Sequence, residues 1–237
     1  MVWVKKKHFR NAHNGKLKEE VSTTLRHIVQ IFGLVNFAMC YLRTNRARWY
    51  YLLKFLRRRT GQPLDSPAYL WSHLRTALPI WIAEILNAPP YIYPRHDIGE
   101  TSTFSDACPD GLGGVIIHSS GHFDVIARPT TAQEKRLPIN TLETIAARWV
   151  LQHVPHGPSP ISMFIDNTSA IAWTKGRVPR DYCAAQIAEN LQDLPTYHRV
   201  VSVLYIPSAL NLAERPSRNP WSFQGARTQT IAEPMRR

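Results

Sequence analysis

The sequence predicts an α/β fold: a mixed five-stranded sheet flanked by helices, preceded by an all-helical N-terminal region. Apolar residues recur at spacings of three and four through the first ninety residues, as on buried helical faces. Beyond a proline-rich stretch, short β-branched runs alternate with helical periods, which is typical of mixed α/β domains. We therefore expect a helical region over residues 1–90, an α/β domain over 98–218 and a disordered tail over 219–237.

Three helices are expected in the first region. The first covers about 17–42, the second about 45–58, and the third, with a Trp-rich face, runs from about 70 to Pro89. The boundary falls in the proline-rich stretch 88–94, because helices end before such runs.

Strands and helices alternate in the second region, where Gly-bearing turns separate the first three strands. The expected elements are strands over 103–106, 114–118 and 123–128, a helix from Ile139 to Val150, a buried strand over 161–165, helices over 168–174 and 182–194, a strand over 200–206, and a short segment over 207–217 that could be helical.

The charge of the chain is concentrated at one end. The net charge is +12, and residues 1–60 hold 14 Lys or Arg against two acids, whereas the remainder holds 15 of each sign. Such a basic segment attracts a polyphosphate backbone. The candidate nucleic-acid contacts are Arg46, Arg48, Arg57 and Arg58. The aromatic residues among these arginines fit a hydrophobic core equally well, so both interpretations remain open.

Several protein classes do not fit the composition. The three cysteines are far apart and lack zinc-ligand spacing, which argues against disulfides and structural zinc. No apolar stretch is long enough to span a membrane, and the basic N-terminus lacks a secretory signal pattern. We expect a soluble intracellular protein with no membrane partner, in the nucleus or the cytoplasm.

Four acids in the second region are placed where they could meet. Asp106 and Asp166 end predicted strands, Glu143 sits in the first turn of the long helix, and Glu214 lies in the last short segment. Carboxylates brought together repel one another unless a cation lies between them. Two Mg²⁺ ions held there could support phosphodiester hydrolysis.

Each acid also has an ordinary explanation. Asp106 could open a turn, and Glu143 could be a negative charge near a helix N-terminus, where the helix dipole favours it. Asp166 could cap the next helix, and Glu214 could be a solvated side chain. Spacing alone therefore does not establish a site.

Four sequence blocks resemble the ribonuclease H domains of retroelements, in the same order. They are SDACPDGLGGV at 105–115, NTLE at 140–143, FIDNTSA at 164–170 and YIPSALNLAERPSR at 205–218. In that family the blocks carry a first-strand Asp, an N-x-x-E helix start, a D-N-x-x-A strand end and a closing I-P to S-R segment. The resemblance covers roughly residues 100–218 and is strong because all four blocks are present.

The resemblance implies cleavage of the RNA strand of an RNA/DNA hybrid with two divalent ions, leaving 3′-hydroxyl products. Asp106, Glu143 and Asp166 would hold the metals together with Glu214, although the family usually has Asp at the fourth position. Asn167 and Ser217 would help position the substrate backbone, whereas Asn211 is expected to be a helix cap.

The N-terminal region resembles the stretch between polymerase and ribonuclease H in such polyproteins. The segment IFGLVNF at 31–37 is similar to a helix of the reverse transcriptase thumb, and a basic helix follows. The finer resemblance is to elements of the DIRS or LTR kind. The chain has no Tyr-x-Asp-Asp motif, so a reverse transcriptase polymerase region, upstream or separate, is an expected partner. A fragment, a decayed reading frame and a separately used nuclease are all consistent with this.

Three other functions remain open. The first is an inactive nucleic-acid-binding remnant, which would bind without cleaving. The second is a transposase or integrase, which shares the carboxylate arrangement but is not expected to carry the closing block. The third is a helical adaptor in residues 1–90, which the acidic blocks make the weakest candidate.

Overall fold

The computed structural model describes residues 6–8, 19–21, 23–42, 49–87, 99–223 and 227–230. The chain divides into two compact units, one of residues 1–44 and 49–91, and one of residues 45–48 and 92–237. The boundary expected within 88–94 lies outside the described residues.

The first unit contains the three expected helices, α1 (Leu25–Leu42), α2 (Tyr50–Arg57) and α3 (Ser72–Leu86). Four strands of two or three residues accompany them: β1 (Lys6–His8), β2 (Glu19–Val21), β3 (Thr23–Thr24) and β4 (Pro67–Ala68). The region is therefore not all helical.

The helix α1 begins later than the sequence predicts. The expected start was near residue 17, but β3 pairs with β4 and α1 begins at Leu25. The backbone N–H groups of Leu25 and Arg26 donate to the carbonyls of Ser66 and Leu64, at 3.1 and 2.7 Å. β-Branched residues favour extended backbone, which explains why Thr23 and Thr24 stay out of the helix.

Apolar side chains of all three helices form the core of the first unit. Leu25 and Ile28 of α1, Leu52 and Phe55 of α2, and Leu74 of α3 are buried together. The aromatic residues beside the arginines contribute to this core, since the Trp49 and Trp81 rings lie 5.0 Å apart between centroids. The core interpretation is thus confirmed for Trp49.

The second unit is built on a mixed sheet. Five of its strands are β5 (Thr101–Ala107), β6 (Gly111–Ile117), β7 (His122–Pro129), β8 (Ile161–Ile165) and β9 (Val200–Tyr205). The sheet order is β7-β6-β5-β8-β9, with antiparallel pairs among β5, β6 and β7 and parallel pairs from β5 to β8 and from β8 to β9. The predicted mixed five-stranded sheet is confirmed.

Among the described residues of this unit there are four α-helices, namely α4 (Ile139–His153), α5 (Thr168–Thr174), α6 (Tyr182–Gln192) and α7 (Glu214–Arg218). Ala147 and Val150 of α4 pack with Ile116, Met163 and Leu191 in a core between helices and sheet. Ile139, expected on the buried face of α4, is 45% exposed because it lies at the first position of the helix.

The stretch after residue 218, expected to be a disordered tail, contains two ordered elements. Pro220–Phe223 forms a 3₁₀ helix, and β10 (Arg227–Thr230) adds a sixth strand antiparallel to β7. Residues 231–237 lie outside the described residues.

Candidate metal centre

Two aspartates meet where parallel strands end. Asp106 is the penultimate residue of β5, and Asp166 directly follows β8. The two strands are parallel neighbours, with Ser105 opposite Ile165. Parallel strands present their carboxyl ends at one edge of a sheet, so this register alone brings the two side chains to the same place.

Glu143 reaches the same edge from the helix α4. It lies in the second turn of α4, not in the first turn as the sequence predicts, and is 4% exposed. Ligand oxygens of Asp106, Glu143 and Asp166 all lie within 4.8 Å of one another. The structure therefore brings three of the four predicted acids together.

The close approach changes the proton affinity of two of these groups. The pKa of Asp106 is raised to about 6, mainly by burial and also by the charges of Asp166 and Glu214, against a lowering hydrogen bond from Ser217. The pKa of Glu143 is raised to about 9, mainly by burial and also by the charges of Asp106 and Asp166. Without a cation, Glu143 is mostly protonated at neutral pH.

The metal-free protein is therefore expected to lose stability as pH rises. A carboxyl group whose pKa is higher in the folded than in the unfolded protein contributes its full stability at a pH below the unfolded-state pKa, which is about 4.5 for Glu143. This contribution is lost progressively as the pH rises from about 4.5 to about 9, the pKa of Glu143 in the folded protein. Thermal unfolding in EDTA between about pH 5 and pH 9 measures the effect. The Glu143→Gln variant should show a shallower decline, and equal slopes in both proteins would contradict this origin.

The cluster fits a divalent cation. The Oε2 atom of Glu143 is buried and has no hydrogen-bond partner among the described residues. An unsatisfied buried carboxylate oxygen is costly unless a cation or proton compensates it. Three carboxylates of this kind are the oxygen ligands that hard cations such as Mg²⁺ prefer.

Glu214, the fourth predicted ligand, is close to the cluster but not part of it. Its charge helps to raise the pKa of Asp106. Its carboxylate, however, forms an ion pair with Arg218 one turn along α7, with 2.7 Å between Glu214 Oε1 and Arg218 Nη2. Exposed pairs at this spacing contribute only about 0.3–0.5 kcal/mol. The pair is therefore too weak to prevent Glu214 from turning toward a cation.

The short helix α7 is packed directly on the strand that faces Asp106. Gly113 pairs with Asp106 in the sheet, and a Cβ there would lie 2.4 Å from both Ala213 O and Ser217 N. The Asn211 amide donates to Ser105 O at 3.0 Å and accepts from the Ala213 N–H at 3.1 Å. The expected capping role of Asn211 is wrong, because the N-cap of α7 is Ala213 and has no side-chain bond, and the Asn211 amide instead links the closing segment to β5.

Ser217 lies below the surface and cannot face a substrate as the sequence predicts. It is 0% exposed, and its hydroxyl donates to Asp106 Oδ2 and lies 2.9 Å from Glu214 O. The sequence block identified Ser217 as part of the site, but only the fold shows that it contacts a carboxylate. Its position indicates that it orients Asp106.

Replacing Ser217 by Ala should raise the pKa of Asp106 above its value of about 6, because the hydroxyl donates to the charged form. NMR titration of the Asp106 carboxyl in the metal-free protein measures the shift. Ser222→Ala, in the neighbouring 3₁₀ helix, provides a control with the same chemical change. A pKa that is unchanged or lower in Ser217→Ala would show that the hydroxyl does not stabilise the carboxylate.

The other predicted nucleic-acid contacts fall into two groups. Arg57 and Arg58 are exposed in the first unit, with the Arg58 guanidinium 5.5 Å from the Trp71 ring centroid, while Arg46 and Arg48 lie outside the described residues. Asn167 uses its side chain within the protein, as the cap of α5.

Sequence reasoning missed two residues of the site. Arg218 was noted only as the end of the closing block, although its spacing of four from Glu214 predicts a helical ion pair. Asn140 was noted only as the start of N-x-x-E, and its amide accepts a hydrogen bond from Asn167 at 2.8 Å. The Asn140 contact joins residues distant in sequence, so no local signal could have revealed it.

No protein-family model and no curated protein sequence matches the chain. Solved structures with some likeness include the N-terminal RNase H domain of a Mycobacterium tuberculosis protein fused to maltose-binding protein, with a TM-score of 0.38 and 12% identity over 52% of this chain and 96% of that one. RNase H1 from the archaeon Halobacterium salinarum gives a TM-score of 0.35 and 11% identity over 52% and 96% of the two chains.

A viral structure matches more of the chain. The foamy viral protease-reverse transcriptase in complex with an RNA/DNA hybrid gives a TM-score of 0.34 and 13% identity, covering 90% of this chain and 27% of that one. The chain thus spans about a quarter of the length of that viral protein. At these TM-scores and identities the similarities carry no weight by themselves.

Among the described residues, none of the helices has the length and apolar composition needed to cross a lipid bilayer.

Proposed function

We propose that this protein hydrolyses the RNA strand of RNA/DNA hybrids, as part of or derived from the reverse transcriptase of a retrotransposon. The observation that carries the proposal is the convergence of ligand oxygens of Asp106, Glu143 and Asp166 within 4.8 Å, where one buried Glu143 oxygen has no hydrogen-bond partner among the residues that the structure describes. These acids are three of the four that the ribonuclease H resemblance selects, and this agreement supports the proposal.

Asp106, Glu143 and Asp166 would hold divalent cations, Mg²⁺ or Mn²⁺ and two in number, with Glu214 completing the set. Such ions lower the pKa of an attacking water and stabilise the charge on the leaving oxygen of a phosphodiester. The protein contributes by fixing the carboxylates in advance: the β5–β8 register sets the two aspartates, and α4 supplies Glu143.

Ser217 keeps the Asp106 carboxylate oriented by donating to Oδ2, which leaves Oδ1 available to a cation. The docking of α7 on Gly113 holds Ser217 against Asp106 Oδ2 and keeps Glu214 near the Asp106 carboxylate.

Recognition of the hybrid would depend on its backbone. Hybrids present phosphates and 2′-hydroxyls in a wide minor groove, which gives little sequence preference. Arg57 and Arg58 are exposed and able to contact phosphates, and Arg46 and Arg48 are proposed to do the same. The finer assignment to elements of the DIRS or LTR kind, and partnership with a polymerase region, rest on the sequence resemblance.

A second function, an inactive nucleic-acid-binding remnant, is favoured by one observation. Glu214 replaces the usual Asp and pairs with Arg218 instead of joining the other three acids. If the longer side chain fails to complete the site, binding would remain while cleavage would be lost.

The test is a substrate panel under one set of conditions. A labelled RNA/DNA hybrid, double-stranded DNA and single-stranded RNA are each incubated with the full chain and Mg²⁺ or Mn²⁺. We expect cleavage of the hybrid RNA strand alone, leaving 3′-hydroxyl ends. Binding of the hybrid without cleavage in either metal would support the remnant, and cleavage of double-stranded DNA would indicate a different nuclease.

A further inference from the structure

An amide pair beside the carboxylates joins the two segments that carry Asp166 and Glu143. Asn167 caps the helix α5, and its Oδ1 accepts from the backbone N–H groups of Ser169 and Ala170, each at 3.0 Å. Because Oδ1 is committed to the cap, the other end of the amide must be Nδ2. That Nδ2 donates to Asn140 Oδ1 at 2.8 Å.

Both members of the pair are adjacent to a metal-binding candidate. Asn167 directly follows Asp166 at the end of β8. Asn140 precedes Glu143 by three residues on α4, so the two side chains lie on the same face, about one turn apart. The hydrogen bond thus connects the edge of the sheet to the helix turn before Glu143.

The cluster needs such a connection. Three carboxylates within 4.8 Å repel one another when charged, and the repulsion tends to separate the elements that carry them. The β5–β8 ladder holds Asp106 and Asp166 against this, but Glu143 lies on a helix outside the ladder. A directional bond from Asn167 to Asn140 resists displacement of α4 at its N-terminal end.

We propose that Asn167 is a positioning residue that, through Asn140, fixes the spacing between the Asp166 and Glu143 carboxylates and so raises the affinity of the centre for a divalent cation. The proposal rests on the metal centre proposed above and replaces the role of Asn167 as a substrate contact. Asn167 acts through Asn140 and does not itself touch the ion. Outer partners of metal ligands typically contribute about 10–100-fold in affinity.

Two single variants and their combination isolate this bond. Asn167→Ser keeps a side-chain oxygen that caps a helix well but has no amide donor. Asn140→Ala removes the acceptor and leaves the cap of α5 unchanged. Asp181→Ser is the matched control, because Asp181 caps α6 by accepting from the Ala184 N–H and does not belong to the carboxylate cluster.

Mn²⁺ binding to the full chain is measured by titration calorimetry, and thermal unfolding is measured in EDTA. We expect each single variant to bind Mn²⁺ about 10-fold more weakly, and the double variant to bind no more weakly than either single variant. Asp181→Ser should bind as the wild type does, and Asn167→Ser should unfold in EDTA only a few degrees below the wild type, which shows that the variant is folded when Mn²⁺ is added.

Three results would overturn the proposal. Unchanged Mn²⁺ affinity in both single variants would show that the bond does not position the ligands, while the metal centre itself would stand. Additive losses in the double variant would assign the two residues separate roles. No Mn²⁺ binding by the wild-type chain would contradict the metal centre and the positioning role together.

Discussion

The Glu143→Gln variant should be more stable than the wild type in the absence of metal and should have lost its hybrid cleavage. The wild-type residue is 4% exposed, its pKa is raised to about 9 by burial and by two neighbouring acids, and one of its carboxylate oxygens has no hydrogen-bond partner within the described part of the chain. A neutral amide of the same shape removes the cost of charging this group. The gain should be largest at high pH, where the wild-type group is ionised.

Thermal unfolding in EDTA measures the gain in metal-free stability, and thermal unfolding in Mg²⁺ measures the loss of stabilisation by the metal. Each kcal/mol of added stability corresponds to roughly 2–4 °C in a chain of this size. Mg²⁺ should stabilise the wild type but not the variant, and cleavage should fall by at least about 10²–10³-fold. Glu189→Gln, on the outer helix α6, serves as a control that should change neither property. If Glu143→Gln were less stable than the wild type in EDTA, the inference that ionisation of the buried Glu143 destabilises the metal-free fold would be contradicted.

Gly113→Ala should destabilise the second unit and weaken metal binding. A methyl group at this position would lie 2.4 Å from Ala213 O and Ser217 N, which are backbone atoms that cannot move without displacing α7. Overpacking of this kind costs about 1–3 kcal/mol. Because α7 carries Glu214 and Ser217, its displacement would also disturb the orientation of Asp106.

Chemical denaturation and Mn²⁺ titration of Gly113→Ala measure these two effects. Gly157→Ala is the matched control, since a Cβ there would have nothing within 4 Å. The control should stay within about 0.5 kcal/mol of the wild type. If Gly113→Ala matched this control, the close packing of α7 on β6 would not matter for the site.

The elements of the second unit could be predicted because their local patterns and their packing agree. The run at 161–165 is apolar except for Ser162 and forms the buried interior strand β8, which Asp166 directly follows. The crossover from β7 through α4 is consistent with the parallel direction of β8 and β5. The convergence of Asp106 and Asp166 is a consequence of that topology.

The remaining features depend on contacts between distant residues. The strand β10 has the polar sequence RTQT, and only its pairing with β7 makes it a strand. Thr23 and Thr24 lie within the stretch whose apolar spacing predicts a helix, but in the structure they form the strand β3, which pairs with β4. The burial of Ser217 and the Asn167–Asn140 bond arise from the docking of separate segments, which periodicity does not encode.

The most direct test of the proposed centre is single-turnover cleavage of a labelled RNA/DNA hybrid by the wild type and by Asp166→Asn, across a Mg²⁺ titration and in EDTA. Asp166→Asn keeps the size of the side chain at the end of β8 and removes only its charge. The proposed centre predicts cleavage by the wild type that rises with Mg²⁺, is absent in EDTA and is lost in the variant. Equal cleavage by the two proteins, or wild-type cleavage that persists in EDTA, would contradict it.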